Sequence, residues 1–376
     1  MESMGVIFQF PYRTVAEISL GALVKNLYTL RGSSQREVIP VVKANAYGHG
    51  MIPVARVLIS RGGCHMVAVA TLEEAMELRH RLPHRVGILV LSGFVPHQVD
   101  AYCRYHLIPI IHSLNHLKSL RGRDTLPLIH LKLDTGMNRL GIKESELGEA
   151  MRVLEEVKVK LAGLATHFAE SEVSSDFTDL QLNRFESMRR ELGDRRLLNT
   201  DVKVHVGNSG AILRGKLGSS VAVRPGLSLY GISPNPELKN SSSLIPVMEW
   251  KTRVLTLKDL SKGESVGYNR DYVASGDERI ALLPVGYADG IPRLIAEHGY
   301  VLAKGKRLPF RGRVSMDLIA VDATHVSDLR EGEVVTLLGT DGGETLTIWD
   351  FAHWARTIPY EVFCNISPRV VRVYLD

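Results

Sequence analysis

The sequence predicts an α/β fold, in which an N-terminal (β/α)8 TIM-like barrel is followed by a C-terminal mainly-β domain. Eight strand-like segments alternate with amphipathic segments over roughly 230 residues. A (β/α)8 barrel requires eight such strands. The strand-like segments are near-continuous apolar runs, as is typical of parallel strands that are covered on both faces. A doubly wound parallel sheet is the alternative, but nothing in that fold calls for eight strands.

The barrel segments follow one another in a regular order. Ser19 is suited to cap a first helix, whose apolar residues from Leu20 to Leu30 repeat at helical spacing and for which Gly32 is the expected stop. The stretches "ESELGEAMRVLEEV" and "DLQLNRFESMRREL" are two of the later amphipathic helices. The eight strands are predicted at residues 38–42 and near 66–70, 86–91, 108–112, 128–133, 160–167, 202–206 and 221–224.

From residue 244 onward the sequence changes to short strands separated by glycine turns, such as "SKGESVG", "VGYADG" and "TDGGETL". This spacing of turns is typical of β-domains. We therefore expect a barrel over residues 12–243 and a β-domain over residues 244–376 that also includes residues 1–11. The "NSSS" segment, Asn240 to Ser243, is the expected linker.

Composition narrows the class of protein. The chain is 45% apolar and 23% charged with a net charge of +5, and its Lys and Arg residues are scattered among acids without a basic stripe. This pattern disfavours nucleic-acid binding. The cysteines Cys64, Cys103 and Cys364 have neither zinc-site nor CxxC spacing, so we expect reduced thiols and no metal site. Without a signal-peptide pattern or a membrane-length apolar run, we expect a cytoplasmic protein that does not enter membranes.

Several predicted strands end on polar side chains, namely Lys43, Arg139, His167, Ser209 and Arg224. Each of them alone has an ordinary structural explanation, such as an exposed turn or a satisfied buried histidine. In a (β/α)8 barrel, however, the carboxyl ends of all strands meet at one rim, where active sites lie. Convergence of these side chains on one rim favours a functional site.

The motifs "VVKANAYGHG", "LDTGMNRLG", "ATHFA", "HVGNSGA", "VRPGLSLYG", "VGYNRDY", "PVGYADG", "GRVSMD" and "PYEV" occur in the order found in alanine racemases. The sequence resembles that family over nearly its whole length. The resemblance implies an enzyme dependent on pyridoxal 5'-phosphate, with an N-terminal barrel and a C-terminal β-domain. It also implies a head-to-tail homodimer with shared active sites and an amino-acid substrate.

By this resemblance Lys43 carries the cofactor as a Schiff base and moves a proton on one face of the substrate. Tyr268 of the partner subunit serves the opposite face, and His167 assists it with Arg224 behind. Arg224 also faces the pyridine nitrogen, which stays unprotonated because a guanidinium keeps its own proton. Without the resemblance, Tyr268 could equally be a packed strand residue.

The same resemblance assigns further binding residues. The cofactor phosphate is expected to contact Tyr47, Ser209, the backbone N–H groups of Gly226 and Leu227, and Tyr360. Arg139 is expected to bind the phenolic oxygen of the cofactor and the substrate carboxylate. Met316 and Tyr287 are expected to complete the substrate pocket from the partner chain, and Lys132 is a candidate for carbamylation that would hold Arg139. Ser315 stands where relatives often carry cysteine.

The sequence is also compatible with other functions. An amino-acid decarboxylase of the same fold is disfavoured, because its glycine-triplet loop and its catalytic Cys-Asp-Gly motif are missing. A non-catalytic carrier of pyridoxal phosphate would not need the β-domain with Tyr268 and Met316. A serine or broad-specificity racemase is the main alternative, since one methylene discriminates by only about 1–3 kcal/mol. The implied biological role is the supply of D-alanine for peptidoglycan.

Overall fold

The computed structural model describes residues 11–238 and 243–376. The chain divides into two compact units, Leu20–Pro246 and a second that joins Val247–Asp376 to the segment ending at Ser19. Among the helices of the described ranges, none combines the length and the apolar character that crossing a bilayer demands.

The first unit contains a ring of eight parallel strands. In ring order they are Glu37–Val38, Ala222–Val223, Lys203–His205, Leu161–Ala165, Ile129–Lys132, Ile108–Ile111, Gly87–Val90 and Met66–Val69. The ring closes where Val41, just past the first strand, forms a parallel bridge with Ala68. The N–H of Val42 donates to the carbonyl of Ala68 at 2.8 Å. A closed ring is not a doubly wound sheet, so the predicted barrel is confirmed.

Helices connect the barrel strands. They are Leu20–Ser34, Met51–Ser60, Leu72–Arg79, Val99–Arg104, Leu114–Lys118, Glu144–Val157, Asp176–Asp194 and Ser209–Arg214, with 3-10 turns at Pro96–Gln98 and Leu227–Tyr230. The first helix begins after Ser19 as predicted but runs two residues beyond Gly32. A glycine ends a helix by adopting left-handed backbone. Gln35 does this instead, with φ of 53°.

The apolar strands place their polar residues at one rim. Val67, Ala68 and Val69 are fully buried, as apolar residues of a strand covered on both faces should be. Lys132 and His205 are each the last residue of a strand, and Arg224 directly follows another. The carboxyl ends of the parallel strands therefore present several polar groups together.

The second unit is mainly β. Its largest sheet has the order Lys306–Pro309, Tyr300–Ala303, Val334–Asp341, Met248–Arg253, Thr14–Ser19 and Val371–Leu375, with Glu344–Leu346 added to Val334–Asp341. Thr256–Leu260, Glu278–Leu283 and Ile319–Asp322 form a second sheet, and Ser265–Val266 pairs with Tyr272–Val273. The unit also has the helices Ile348–Trp354 and Pro359–Asn365 and 3-10 turns at Tyr268–Arg270 and Arg293–Glu297, none of which the turn spacing predicted.

The observed domain boundaries differ from the expected ones. Residues 14–19 were expected in the barrel, but this strand lies inside the large sheet of the β-domain, between Met248–Arg253 and Val371–Leu375. The Trp250 indole N–H donates to the Thr14 hydroxyl at 2.9 Å. The strand belongs to the β-domain because its hydrogen bonds are made there. Of the expected linker, residues 240–242 lie outside the described ranges, and the second boundary falls at Pro246 rather than at residue 243.

Candidate active site

Lys43 lies half-buried beyond the carboxyl end of the first barrel strand, at the beginning of a left-handed turn. Residues 44–47 all have φ between 51° and 54°. Left-handed backbone costs a non-glycine residue about 1–2 kcal/mol, so other contacts must offset the strain of this turn. The Asn45 Oδ1 accepts from the N–H of Met51 at 2.8 Å. The His49 Nδ1 lies 3.0 and 2.9 Å from two carbonyl oxygens of the turn.

Tyr47, Ser209 and Gly226 converge on one polar cradle. The buried Ser209 hydroxyl accepts from the N–H groups of Gly226 at 3.1 Å and of Ser228 at 3.2 Å. A Cβ on Gly226 would lie 2.3 Å from the Tyr47 hydroxyl oxygen, so only glycine lets that hydroxyl come so close. Leu227 lies buried in the same loop. The barrel residues expected to bind phosphate are therefore neighbours in the fold.

Arg224 is a buried guanidinium at the centre of a chain of histidines. Its Nη2 donates to the Thr166 carbonyl at 2.7 Å and lies 3.5 Å from the Nδ1 of His167. Its Nη1 lies 2.6 Å from the Nδ1 of His205, whose Nε2 lies 2.7 Å from the Nδ1 of His130. Only 6% of Arg224 is exposed. This row of hydrogen-bonded side chains runs across neighbouring strands of the barrel.

The protonation states of Arg224 and its neighbouring histidines follow from burial. Burial lowers the pKa of Arg224 to about 10, which leaves it a cation at neutral pH. Burial, assisted by Arg224, lowers the pKa values of His167 and His205 well below the usual value. The pKa of His130 falls to about 3 because of burial and the charges of Lys203 and Arg224. All three imidazoles are therefore neutral at pH 7.

Hydrogen-bond donation then assigns their tautomers. Arginine can only donate, so the Nδ1 atoms of His167 and His205 accept from Arg224 and each ring carries its proton on Nε2. His205 donates this proton to the Nδ1 of His130. His167 consequently presents an Nε2–H donor on the edge of its ring that points away from Arg224.

Lys132 adds a second amine to the same rim. Its side chain is at the end of a strand and is 8% exposed. Burial and the positive charges of Arg224 and Arg139 lower its pKa to about 8, although Asp134 acts in the opposite direction and Lys43 lowers it slightly further. Asp134 also shapes the loop that leads to the exposed Arg139, by accepting two backbone N–H groups at 3.0 Å. Four cationic side chains at one rim favour an anionic ligand.

The β-domain gathers Tyr268, Tyr287 and Met316 around a cavity of about 390 Å³. The Tyr287 N–H donates to the Ser315 carbonyl at 3.0 Å. A Cβ on Gly286 would lie 2.3 Å from the carbonyl oxygens of Ser315 and Met316, so glycine is required for the two loops to meet. Tyr268 is 71% exposed and Met316 is 53% exposed on this chain.

Two matches to protein families show the family to which the chain belongs. Residues 18–234 match the family described as "Alanine racemase, N-terminal domain", and residues 247–374 match "Alanine racemase, C-terminal domain". The chain belongs to the alanine racemase family. The predicted family is confirmed, and with it the predicted enzyme class, an isomerase.

Relatives of known name and structure agree with this family. An alanine racemase of Halothermothrix orenii is 39% identical over 372 residues, which is 96% of each chain. The structure of an alanine racemase from Bacillus anthracis with bound L-Ala-P has a TM-score of 0.90 and 32% identity, covering 98% of this chain and 96% of the other. That of an alanine racemase from Bartonella henselae with covalently bound pyridoxal phosphate has a TM-score of 0.88 and 30% identity, covering 97% and 100%.

In this member of the alanine racemase family, a buried aspartate holds the Tyr287 loop. The fully buried Asp289 accepts from the N–H of Gly286 at 2.9 Å and pairs with Arg13. Its second ion pair is with Arg369 at 3.5 Å. Tyr360 lies half-buried at the start of the helix Pro359–Asn365.

Sequence reasoning missed three buried residues that support the site, namely His130, His205 and Gln181. Both histidines lie near the end of an apolar strand, and this position was the signal that could have found them. Gln181 donates to the His167 carbonyl at 3.2 Å and accepts from the Ala169 N–H at 2.9 Å. It gave no signal, because it lies on an amphipathic helix that is rich in polar residues.

Metal ligands form no comparable cluster. Across residues 11–238 and 243–376, no three His, Cys, Asp or Glu side chains are grouped so that they could hold a metal ion.

Proposed function

We propose that this protein is a pyridoxal-phosphate-dependent racemase that interconverts L-alanine and D-alanine with two bases. Lys43 is one base and Tyr268, supplied by the partner subunit of a homodimer, is the other. The observation that carries the proposal is the rim that joins Lys43 to Arg224, a cation held in place by neutral histidines. An amine and a fixed guanidinium that both act electrostatically on His167 suit an anionic aromatic aldehyde.

The residues of the barrel rim fit this cofactor. The hydroxyls of Tyr47 and Ser209 and the backbone around Gly226 and Leu227 form a polar cradle whose hydroxyl and N–H groups suit a phosphate. Tyr360 would add a phenolic donor from the β-domain. Bound pyridoxal phosphate supplies an electron sink that acidifies the α-proton of an amino acid. Lys43 would hold the cofactor covalently, and this attachment would leave its amine near the α-carbon after substrate exchange.

Inversion requires proton transfer on both faces of the α-carbon. A single base on one face would return the proton with retention of configuration, so a second group is needed. Tyr268 carries a phenol, and a phenol needs assistance to act as a base near neutrality. The Nε2–H of His167 is a suitable donor to that phenolic oxygen, because hydrogen bonding to the charged form favours it. Arg224 supports this role of His167. Because Arg224 only donates, the His167 Nδ1 must accept, and the ring proton stays on Nε2.

Arg224 has one donor left for the cofactor ring. Its Nη atoms are engaged by Thr166, His167, His205 and Val206. Among the described residues, its Nε–H has no hydrogen-bond partner. This N–H would donate to the pyridine nitrogen of the bound cofactor. Since a guanidinium donates without releasing its proton, the ring nitrogen would stay neutral and the electron sink would stay weak. A weak sink favours prompt return of the proton over side reactions.

Arg139 and Lys132 form the next part of the proposal. Arg139 offers a planar fork suited to the substrate carboxylate and the phenolic oxygen of the cofactor. Lys132 has a pKa lowered to about 8, so a sizeable fraction of its amine is neutral at physiological pH. In carbamylation the neutral amine of Lys132 would form a bond to the carbon of CO2 and release one proton, which gives a carbamate anion. The resulting negative charge would pair with Arg139 and relieve the repulsion among the cations of the rim.

A homodimer would complete each site. Tyr268, Tyr287, Met316 and Leu318 are all exposed on the isolated chain. Clusters of exposed aromatic and methionine side chains mark interaction surfaces. Placed against the barrel of a partner, Tyr287 and Met316 would bound a pocket that is small enough for the methyl group of alanine. The cytoplasmic location and the supply of D-alanine for peptidoglycan are extensions of the family assignment.

The test is racemisation of L-alanine in D2O by the holoenzyme. Chiral chromatography would measure D-alanine, and proton NMR would measure the loss of the α-proton. We expect the wild type to produce deuterated D-alanine. We expect Lys43→Ala and Tyr268→Phe to lose about 10²–10⁴-fold in kcat, the usual contribution of a positioned acid or base. Exchange of the α-proton without inversion in the wild type would overturn the two-base proposal, and a faster reaction with L-serine would overturn the choice of alanine.

A further inference from the structure

We infer that Glu74 is a positioning residue for Lys43, a role that rests on the proposed function only in giving Lys43 a chemical task. The Glu74 Oε1 accepts from the N–H of Ala44, the residue next to Lys43, at 2.6 Å. Its Oε2 accepts from the N–H groups of Ala70 at 2.8 Å and Thr71 at 3.2 Å. One carboxylate thus gathers three backbone donors from two neighbouring strand ends.

This contact continues a strand ladder beyond its end. The segment just past the first barrel strand pairs with the strand Met66–Val69 through the bridge between Val41 and Ala68 and the bond from the Val42 N–H to the Ala68 carbonyl. The next residue along the chain is Lys43, where the backbone leaves the ladder for the left-handed turn. The Glu74 side chain therefore takes over the function of main-chain pairing at Ala44, the residue directly after the one that carries the amine.

The turn needs such a partner because its backbone is strained. Ala44 has φ of 51° and ψ of 53°, a conformation that alanine rarely adopts. The plane of the peptide between Lys43 and Ala44 is set by ψ of Lys43, so loss of the Ala44 bond would free that peptide to rotate. A bond to a carboxylate is roughly twice as strong as one between neutral groups. Glu74 thereby opposes relaxation of the turn and fixes the direction in which the Lys43 side chain leaves the backbone.

The pattern of donors makes the carboxylate difficult to replace. Three N–H groups converge on two oxygens, and a glutamine would offer one oxygen and two N–H donors. In Glu74→Gln, at least one backbone N–H would therefore face another donor. The substitution preserves size and helix propensity, so its effects report on the hydrogen bonds.

Two control variants separate positioning from helix stability. Thr71 forms the other half of the capping box, because its hydroxyl accepts from the Glu74 N–H at 3.3 Å. Thr71→Ala removes this cap but leaves the bond to Ala44. Glu73 is an exposed neighbour on the same helix, and Glu73→Gln removes one negative charge without touching the turn.

The experiment compares kcat, KM and thermal midpoint for the wild type and these three holoenzymes. We expect Glu74→Gln to lower kcat by about tenfold or more with KM changed by less than about twofold, because small misplacement of a reacting group can cost about 10²-fold. Thr71→Ala and Glu73→Gln should keep kcat within about twofold of the wild type. Equal kcat values for Glu74→Gln and Thr71→Ala would overturn the inference.

A second readout is independent of racemisation. The apoenzymes are mixed with pyridoxal phosphate, and its attachment to Lys43 is trapped by borohydride and counted by mass spectrometry over time. We expect slower attachment in Glu74→Gln only. If the wild type failed to racemise alanine, the proposed function would fall, but this rate would still report on Glu74. Attachment as fast in Glu74→Gln as in the wild type would contradict the positioning role.

Discussion

At the scale of single residues, His130 and His205 show how a barrel interior accommodates polar groups. Both rings are almost fully buried and are joined by a bond of 2.7 Å between Nδ1 of His130 and Nε2 of His205. Burial lowers the pKa of His130 to about 3. In the unfolded chain a histidine titrates near 6.5, so between these two values the unfolded state binds more protons than the folded state.

The sign of the pH effect follows from this difference. Stability is retained above pH 6.5 and lost as the pH falls towards 3, by about 1.4 kcal/mol per pH unit for one such group. We expect the free energy of unfolding, measured by urea titration at pH 7.5, 6.5 and 5.5, to fall in the wild type. In His130→Gln the free energy of unfolding should fall less steeply with decreasing pH, because the unfolded variant takes up one proton fewer. The exposed His97→Gln is the control and should match the wild type; an unchanged slope in His130→Gln would contradict the prediction.

At the scale of elements, sequence pattern located the strands better than the turns. Apolar runs identify the eight strands because both of their faces are buried. The left-handed turn after Lys43 could not be predicted in this way, since residues 44–47 include no glycine. Its conformation depends on contacts from outside the turn, such as Glu74, 30 residues away. The bond between His130 and His205 likewise joins side chains 75 residues apart.

The helix Leu72–Arg79 ends with a buried arginine that binds backbone carbonyls. The buried Arg79 donates to four carbonyls, those of Pro83, Val86, Tyr105 and His106, at 2.8 to 3.1 Å. Two of these carbonyls come just before the strands Gly87–Val90 and Ile108–Ile111, at the amino ends of the barrel strands. Residues at that end of a barrel serve stability, whereas catalytic residues lie at the other end.

We therefore expect Arg79→Met to destabilise the barrel by about 3 kcal/mol or more, because each buried carbonyl left without a donor costs about 1–3 kcal/mol. Urea unfolding measures this loss. The kcat of the protein that remains folded should stay close to the wild-type value, since the substitution is far from the rim. Arg81→Met, at an exposed position nearby, is the matched control. A loss of kcat without a loss of stability would place Arg79 in the active site instead.

At the scale of the whole molecule, the proposed dimer divides each active site between two chains. Lys43 belongs to the barrel and the exposed Tyr268 to the β-domain, and the proposal assigns them to different subunits. This arrangement can be tested without a structure of the dimer. A mixed dimer of one Lys43→Ala chain and one Tyr268→Phe chain would carry both defects in one site and neither in the other.

The two variants would be co-expressed with different tags, and the mixed dimers isolated by purification on both tags in turn. We expect each pure variant to be nearly inactive and the mixed dimer to show roughly half of the wild-type activity, since one of two symmetric sites is intact. If both groups came from one chain, every site in the mixed dimer would keep one defect and activity would not return. A wild-type dimer with the same two tags controls for the effect of the tags. Restoration to half can arise only from sites shared between subunits, because neither chain alone holds both bases.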